Sequence, residues 1–160
     1  MQARKLVLPL LSSFALLACG GGSTSAWVGT WDATYAGTYS LNPPPQPTQS
    51  NSASGVFTIS ESGSTITIGI ALSGETTGNC SATLATTGNT AAYAPPTQNC
   101  SFTVAATGAQ QTNTNGGTAT LSGDTLTLTV VSGTFAGTVA GVPYSGTYNG
   151  TWTAIRRPTR

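Results

Sequence analysis

The sequence predicts an all-β fold, and three observations carry that prediction. Apolar and polar residues alternate with period two along most of the chain, and no stretch holds a helical period. The alternating stretches are rich in Thr, Val and Ile, which suit a pleated, half-buried surface. The first and last of them share one texture, a face on which bulky aromatics alternate with glycine or alanine.

The first segment sets Trp27, Gly29, Trp31, Ala33, Tyr35, Gly37 and Tyr39 on one side, with Thr30, Thr34 and Thr38 alternating with Val28, Asp32 and Ala36 between them. Asn42 to Ser54 then carries Pro43, Pro44, Pro45 and Pro47, followed by small polar residues, and predicts an extended, exposed loop. Phe57 with Ile59 marks the next strand. Glu61-Ser62-Gly63-Ser64 is short enough for a tight hairpin into the clearest strand, where Ile66, Ile68, Ile70 and Leu72 share one face. Ala82 with Leu84, Phe102 with Val104, and Ala119 with Leu121 give weaker versions. Between the first two of these, Thr86 to Asn99, with Tyr93 and Pro95-Pro96, predicts a second long loop.

Ser122-Gly123-Asp124 turns the chain into Leu126, Leu128 and Val130. The parity of Phe135 is shifted relative to Val130, which predicts a bulge near Ser132 and Gly133. Thr125 to Val139 therefore reads as one bent strand, turning at Ala140 to Pro143. The last strand sets Tyr144, Gly146, Tyr148, Gly150, Trp152 and Ala154 on one side. If it pairs with the first, aromatics on one strand cover glycines on the other and the sheet closes. The total is roughly eight strands, the number for a small antiparallel up-and-down barrel; a β-sandwich is the alternative.

The amino terminus has its own signal. Arg4 and Lys5 precede an apolar run from Leu6 to Ala18, which is too short to span a bilayer. The run ends in Leu16-Leu17-Ala18-Cys19. This resembles the signal peptide and lipobox of a bacterial lipoprotein. The resemblance implies cleavage before Cys19, a diacylglycerol on its thiol, acylation of its amine, and a membrane as partner through that anchor. Gly20, where an aspartate would retain such a protein at the inner membrane, implies the outer membrane. The expected organisation is a signal peptide at 1–18, a lipidated tether at 19–26 and one domain at 27–157. In an oxidising compartment Cys80 and Cys100, the even pair left after Cys19, are expected to form a disulfide.

Charge excludes several functions. Charged residues make up 6% of the chain, against about 25% in ordinary globular domains. There is no histidine, and beyond residue 18 the cationic side chains are Arg156, Arg157 and Arg160. No basic surface exists for nucleic acid. No cluster along the sequence suits a metal, no cofactor is expected, and the His or Lys that usually serves as a catalytic base is missing. The carboxylates Asp32, Glu61, Glu75 and Asp124 are scattered and read as solvated surface charges, so an enzyme is not expected.

Gly29-Thr30-Trp31 at the start of the first strand and Arg156 at the end of the last resemble the calycins, the superfamily of the lipocalins. The long first loop fits that layout. The family's Thr-Asp-Tyr-type middle motif and its helix after the barrel are missing here. The resemblance implies a Trp31–Arg156 contact near the closed end of a barrel and an interior able to take a small apolar ligand. Trp27, Trp31, Tyr35, Tyr148 and Trp152 are the rings that would line such a pocket; the simpler expectation is that they fill it. A filled interior would mean a structural module, or one that meets an unknown protein partner through its loops. Interior volume separates the two readings.

Overall fold

Every stretch of apolar alternation forms a strand. The computed structural model describes residues 25–42, 47–105 and 108–159; the signal peptide, Cys19 and most of the expected tether lie outside the described residues. Ten strands follow one another: β1 (Gly29–Asn42), β2 (Gln49–Ser62), β3 (Thr65–Ser73), β4 (Thr76–Thr87), β5 (Thr90–Tyr93), β6 (Thr97–Val104), β7 (Gly108–Asn115), β8 (Gly117–Ser122), β9 (Thr125–Val139) and β10 (Val142–Arg156). All pairings are antiparallel.

The first and last strands are neighbours, in register from Trp31↔Arg156 to Asn42↔Ser145. Hydrogen bonds pass from β10 through β1, β2, β3, β4, β5, β8 and β9 and back to β10, a closed ring through eight strands. The strands are not spaced evenly round an axis. Closure satisfies the backbone groups that an open edge would expose.

Ten strands fit into eight positions because two positions are split. β4 pairs with β5 over Leu84–Thr87 and with β6 at Thr76 and Thr77. β9 likewise pairs with β8 from Thr125 to Val130 and with β7 from Gly133 to Gly137. The chain turns a corner at the cis Ala94–Pro95 peptide between β5 and β6, and at Gly116, with φ +97°, between β7 and β8. At the same level β9 bulges. Val131 and Ser132 together face Asn149, and the buried positions change from even to odd numbers. The Val131 N–H donates to the Gly116 carbonyl at 3.4 Å, tying bulge to corner. The ring thus has a waist, with β5 and β8 completing one half and β6 and β7 the other.

The half with β5 and β8 is packed solid. Trp31, Phe57, Ile66, Ile68, Leu84, Leu126 and Leu128 are fully buried there. Burying each such side chain stabilises the fold by about 1.5–3 kcal/mol. The parity of Trp27 predicts a place in the first strand; instead it precedes β1 at a turn, and its ring drops into this core. Its Nε1–H donates to the Gly88 carbonyl at 3.1 Å.

The described parts of two expected loops are mostly sheet; Pro43, Pro44 and Pro45 of the first lie outside the described residues. Gln49–Ser54 belongs to β2 and pairs with β1 from Tyr39↔Gln49 to Thr34↔Ser54. The segment 86–99 holds a hairpin turn, β5 and the start of β6. Backbone pairing along the long strands β1 and β4 claims these polar segments whatever their side chains. The outward faces explain how the chain does with so little charge. Thr34, Thr153, Thr127 and Thr120 stand side by side across β1, β10, β9 and β8, and such hydroxyl rows meet water without ionisation.

Candidate functional site

The packed end is closed by the residues of the Gly29-Thr30-Trp31 start. Arg156 lies opposite Trp31, with its Cζ 4.2 Å from the indole centroid. The same guanidinium donates to the carbonyls of Val28 and Ala26 and approaches Asp124 at 3.3 Å. Gly29 makes room for it. With φ +149°, a Cβ there would stand 2.9 Å from Arg156 Nη1. Trp31 Nε1 is the only buried side-chain nitrogen or oxygen among the described residues without a hydrogen-bond partner. Nearby, the Arg157 guanidinium hydrogen-bonds Asp32 at 2.6 Å and holds that carboxyl below its ordinary pKa.

The other half of the ring is hollow. It encloses a cavity of about 710 Å³. All five tyrosines of the chain line it, with Trp152, Phe102 and Phe135. Of the rings singled out in the sequence, Tyr35, Tyr148 and Trp152 face this space, whereas Trp27 and Trp31 belong to the packed core. The rings therefore fill only one half of the interior.

The hollow half owes its volume to glycine. Tyr35 lies flat along the wall over Gly150, where a Cβ would come within 2.5 Å of its Cζ. Tyr93 covers Gly117 at the same 2.5 Å, and Tyr144 covers Gly137 with its hydroxyl at 2.7 Å. Tyr148 over Gly133 and Phe135 over Gly146 repeat the arrangement. A ring laid down over a glycine lines the wall without reaching into the middle. Ring pairs are tilted or edge-on, as in Tyr35 with Trp152 at 5.1 Å and Tyr39 with Phe135 at 6.1 Å.

The polar groups of the wall are mostly engaged. Tyr35 Oη donates to the Asn149 carbonyl at 2.9 Å, Tyr39 Oη donates to Gln49 Oε1 at 2.8 Å, and Tyr148 Oη lies 3.0 Å from Thr114 Oγ1. Tyr144 Oη accepts from the Gln110 amide. The Tyr93 hydroxyl has no hydrogen-bond partner among the described residues. Burial raises the pKa of Tyr93 and Tyr148 and pushes Tyr35 up to about 12, so these phenols stay neutral at physiological pH.

Two devices seal the seam where β4 and β6 part. The Gln98 side chain pairs with the backbone of Thr83 as a strand residue would, accepting from its N–H at 2.7 Å and donating to its carbonyl. Cys80 and Cys100 form a disulfide across the two strands, with Cα atoms 5.3 Å apart. They continue the register of Thr76↔Val104 and Thr77↔Thr103.

Charge is segregated. Glu75, in the β3–β4 turn at the mouth, is the only charged residue lining the cavity among the described residues. Asp32, Glu61, Asp124, Arg156 and Arg157 all lie at the packed end, so Glu61 and Glu75 cap opposite ends of β3. No three His, Cys, Asp or Glu among the described residues come together to hold a metal. Sequence reasoning missed Tyr93, Gln98, Gln110, Thr112 and Thr114 as lining residues. The parity that Tyr93 shares with Ala91 was the available signal for Tyr93; the four polar residues left none in apolar alternation. Compared with known proteins, the chain matches no family model, and no curated protein or solved structure resembles it to a significant degree.

Proposed function

We propose that this chain is a lipid-anchored, extracytoplasmic binding protein, a calycin-like barrel tethered through Cys19 that holds a small, largely apolar ligand in its hollow half. The cavity carries the reading. Its volume of about 710 Å³ falls within the roughly 300–1,000 Å³ of small-molecule pockets, and its wall combines apolar rings with a few polar groups. A filled interior would have favoured the structural or protein-interaction alternative. The lipobox and the Cys80–Cys100 bridge support an oxidising compartment, and Gly20 supports the outer membrane. The reading includes no catalysis, cofactor or nucleic acid.

Native mass spectrometry of the protein purified from its own host tests it. A bound small molecule released on unfolding is the expected result. Consistently bare protein that also fails to take up apolar probes would overturn the ligand. For the anchor, Cys19→Ser should release the chain from membranes; a variant still processed and still sedimenting with them refutes lipidation.

A further inference from the structure

We propose that the cavity selects uncharged molecules built on a flat, aromatic-like ring system and rejects anionic amphiphiles such as fatty acids. This rests on the ligand-binding reading above and gives its ligand a chemical class.

The argument starts from the wall. Among the described residues no cationic side chain lines the cavity. Arg156 and Arg157 are held at the far end of the ring, behind the packed core, by the Trp31 face and by Asp124 and Asp32. A carboxylate or sulfonate inside would meet no countercharge, and burying an unpaired ion costs far more than the apolar contacts of a small guest return. An amphiphile that left its head at the mouth would meet Glu75, the one charge there among the described residues.

The shape of the wall favours flat guests. The rings of the wall meet one another tilted or edge-on, and offset or edge-on contacts to a planar π system gain beyond the area they bury. Four tyrosine hydroxyls are engaged by neighbours, which leaves their rings as the available surface. The unengaged Tyr93 hydroxyl offers one hydrogen bond to a neutral polar group on the guest. Burial holds that phenol protonated, so it can donate as well as accept.

A matched pair of fluorescent probes tests the claim, using the full chain with Cys19→Ser so that no lipid competes. N-phenyl-1-naphthylamine is neutral; 8-anilinonaphthalene-1-sulfonate has the same ring skeleton with one added negative charge. The neutral probe should bind with the anion at least about tenfold weaker. The preference should survive in Glu75→Gln, because uncompensated burial in the wall carries most of it. Equal binding of both probes would overturn the selectivity and leave the ligand-binding reading standing. Loss of the preference in Glu75→Gln would overturn the wall as its source. Failure of both probes to bind would overturn the ligand-binding reading itself.

Discussion

Trp31 and Arg156 face each other across β1 and β10, and the guanidinium of one covers the indole of the other at 4.2 Å. The pair joins the first strand to the last at the level where the core begins. It also ties down the approach to β1, because the same guanidinium holds the Val28 and Ala26 carbonyls.

Truncating Trp31 removes the largest fully buried side chain of the core. Trp31→Ala should cost about 3–5 kcal/mol in denaturant unfolding. Trp31→Phe should cost clearly less than truncation, since the lost Nε1–H has no partner to leave stranded. Arg156→Ala should cost less than Trp31→Ala, and the double mutant should show coupling, because the side chains touch. Strictly additive losses would remove the cation–π contact from the account.

The aromatic–glycine contacts predict a graded response to a single methyl. At Gly150 a Cβ would sit 2.5 Å from the Tyr35 ring, so Gly150→Ala should destabilise by roughly 1–3 kcal/mol. In a Tyr35→Leu background the same substitution should cost less. Gly63→Ala meets open space and bears only its φ of +61°, so its loss should be about 1 kcal/mol with no dependence on Tyr35. Equal costs at Gly150 with and without Tyr35 would count against this packing.

The disulfide closes a loop with a sequence separation of 20. In the chain-entropy account, removing it by Cys80→Ala with Cys100→Ala should lower stability by about 3 kcal/mol. Thiol titration of the unreduced, unfolded chain should find no free thiol from this pair; two would refute the bridge.

The buried tyrosines predict a one-sided pH profile. Their folded-state pKa values lie above the unfolded value of about 10, with Tyr35 near 12. Between those values the unfolded chain releases phenolic protons that the folded chain keeps. Stability from this source is therefore fully present below about pH 10 and is lost as pH rises toward the folded pKa values. Melting temperature should fall above about pH 10, with delayed appearance of tyrosinate absorbance in the folded protein. Unperturbed tyrosinate titration without unfolding would contradict the burial.

The sequence reveals the packed half of this molecule far better than the hollow half. Ile66, Ile68 and Ile70, or Leu126, Leu128 and Val130, alternate because their inward sides meet a core. The bulge is legible for the same reason, since the parity of buried residues changes across Val131 and Ser132. β7 has no such signature. Its inward residues Gln110, Thr112 and Thr114 face open space, where no apolar partner is required. Gln49–Ser54 reads as a loop on the same account. Alternation of hydrophobicity reports contact with a core, and a strand lining a cavity need not show it. The Trp31–Arg156 juxtaposition follows from strand closure together with the Gly29-Thr30-Trp31 motif, whereas the tyrosine cavity emerges only once rings and glycines are placed on adjoining strands.

Trp27, lodged in the core and hydrogen-bonded to Gly88, fixes where the chain enters the ring, and the Arg157 N–H bonded to the Thr30 carbonyl fixes where it leaves. Entry and exit share one end. The cavity opens at the other, beside Glu75, and β9 alone puts 15 residues, or roughly 50 Å of strand, between them. A body joined to the chain ahead of Ser25 therefore holds the molecule by its solid base, as a cup is held by its foot. The mouth stands at the end of the ring away from that junction.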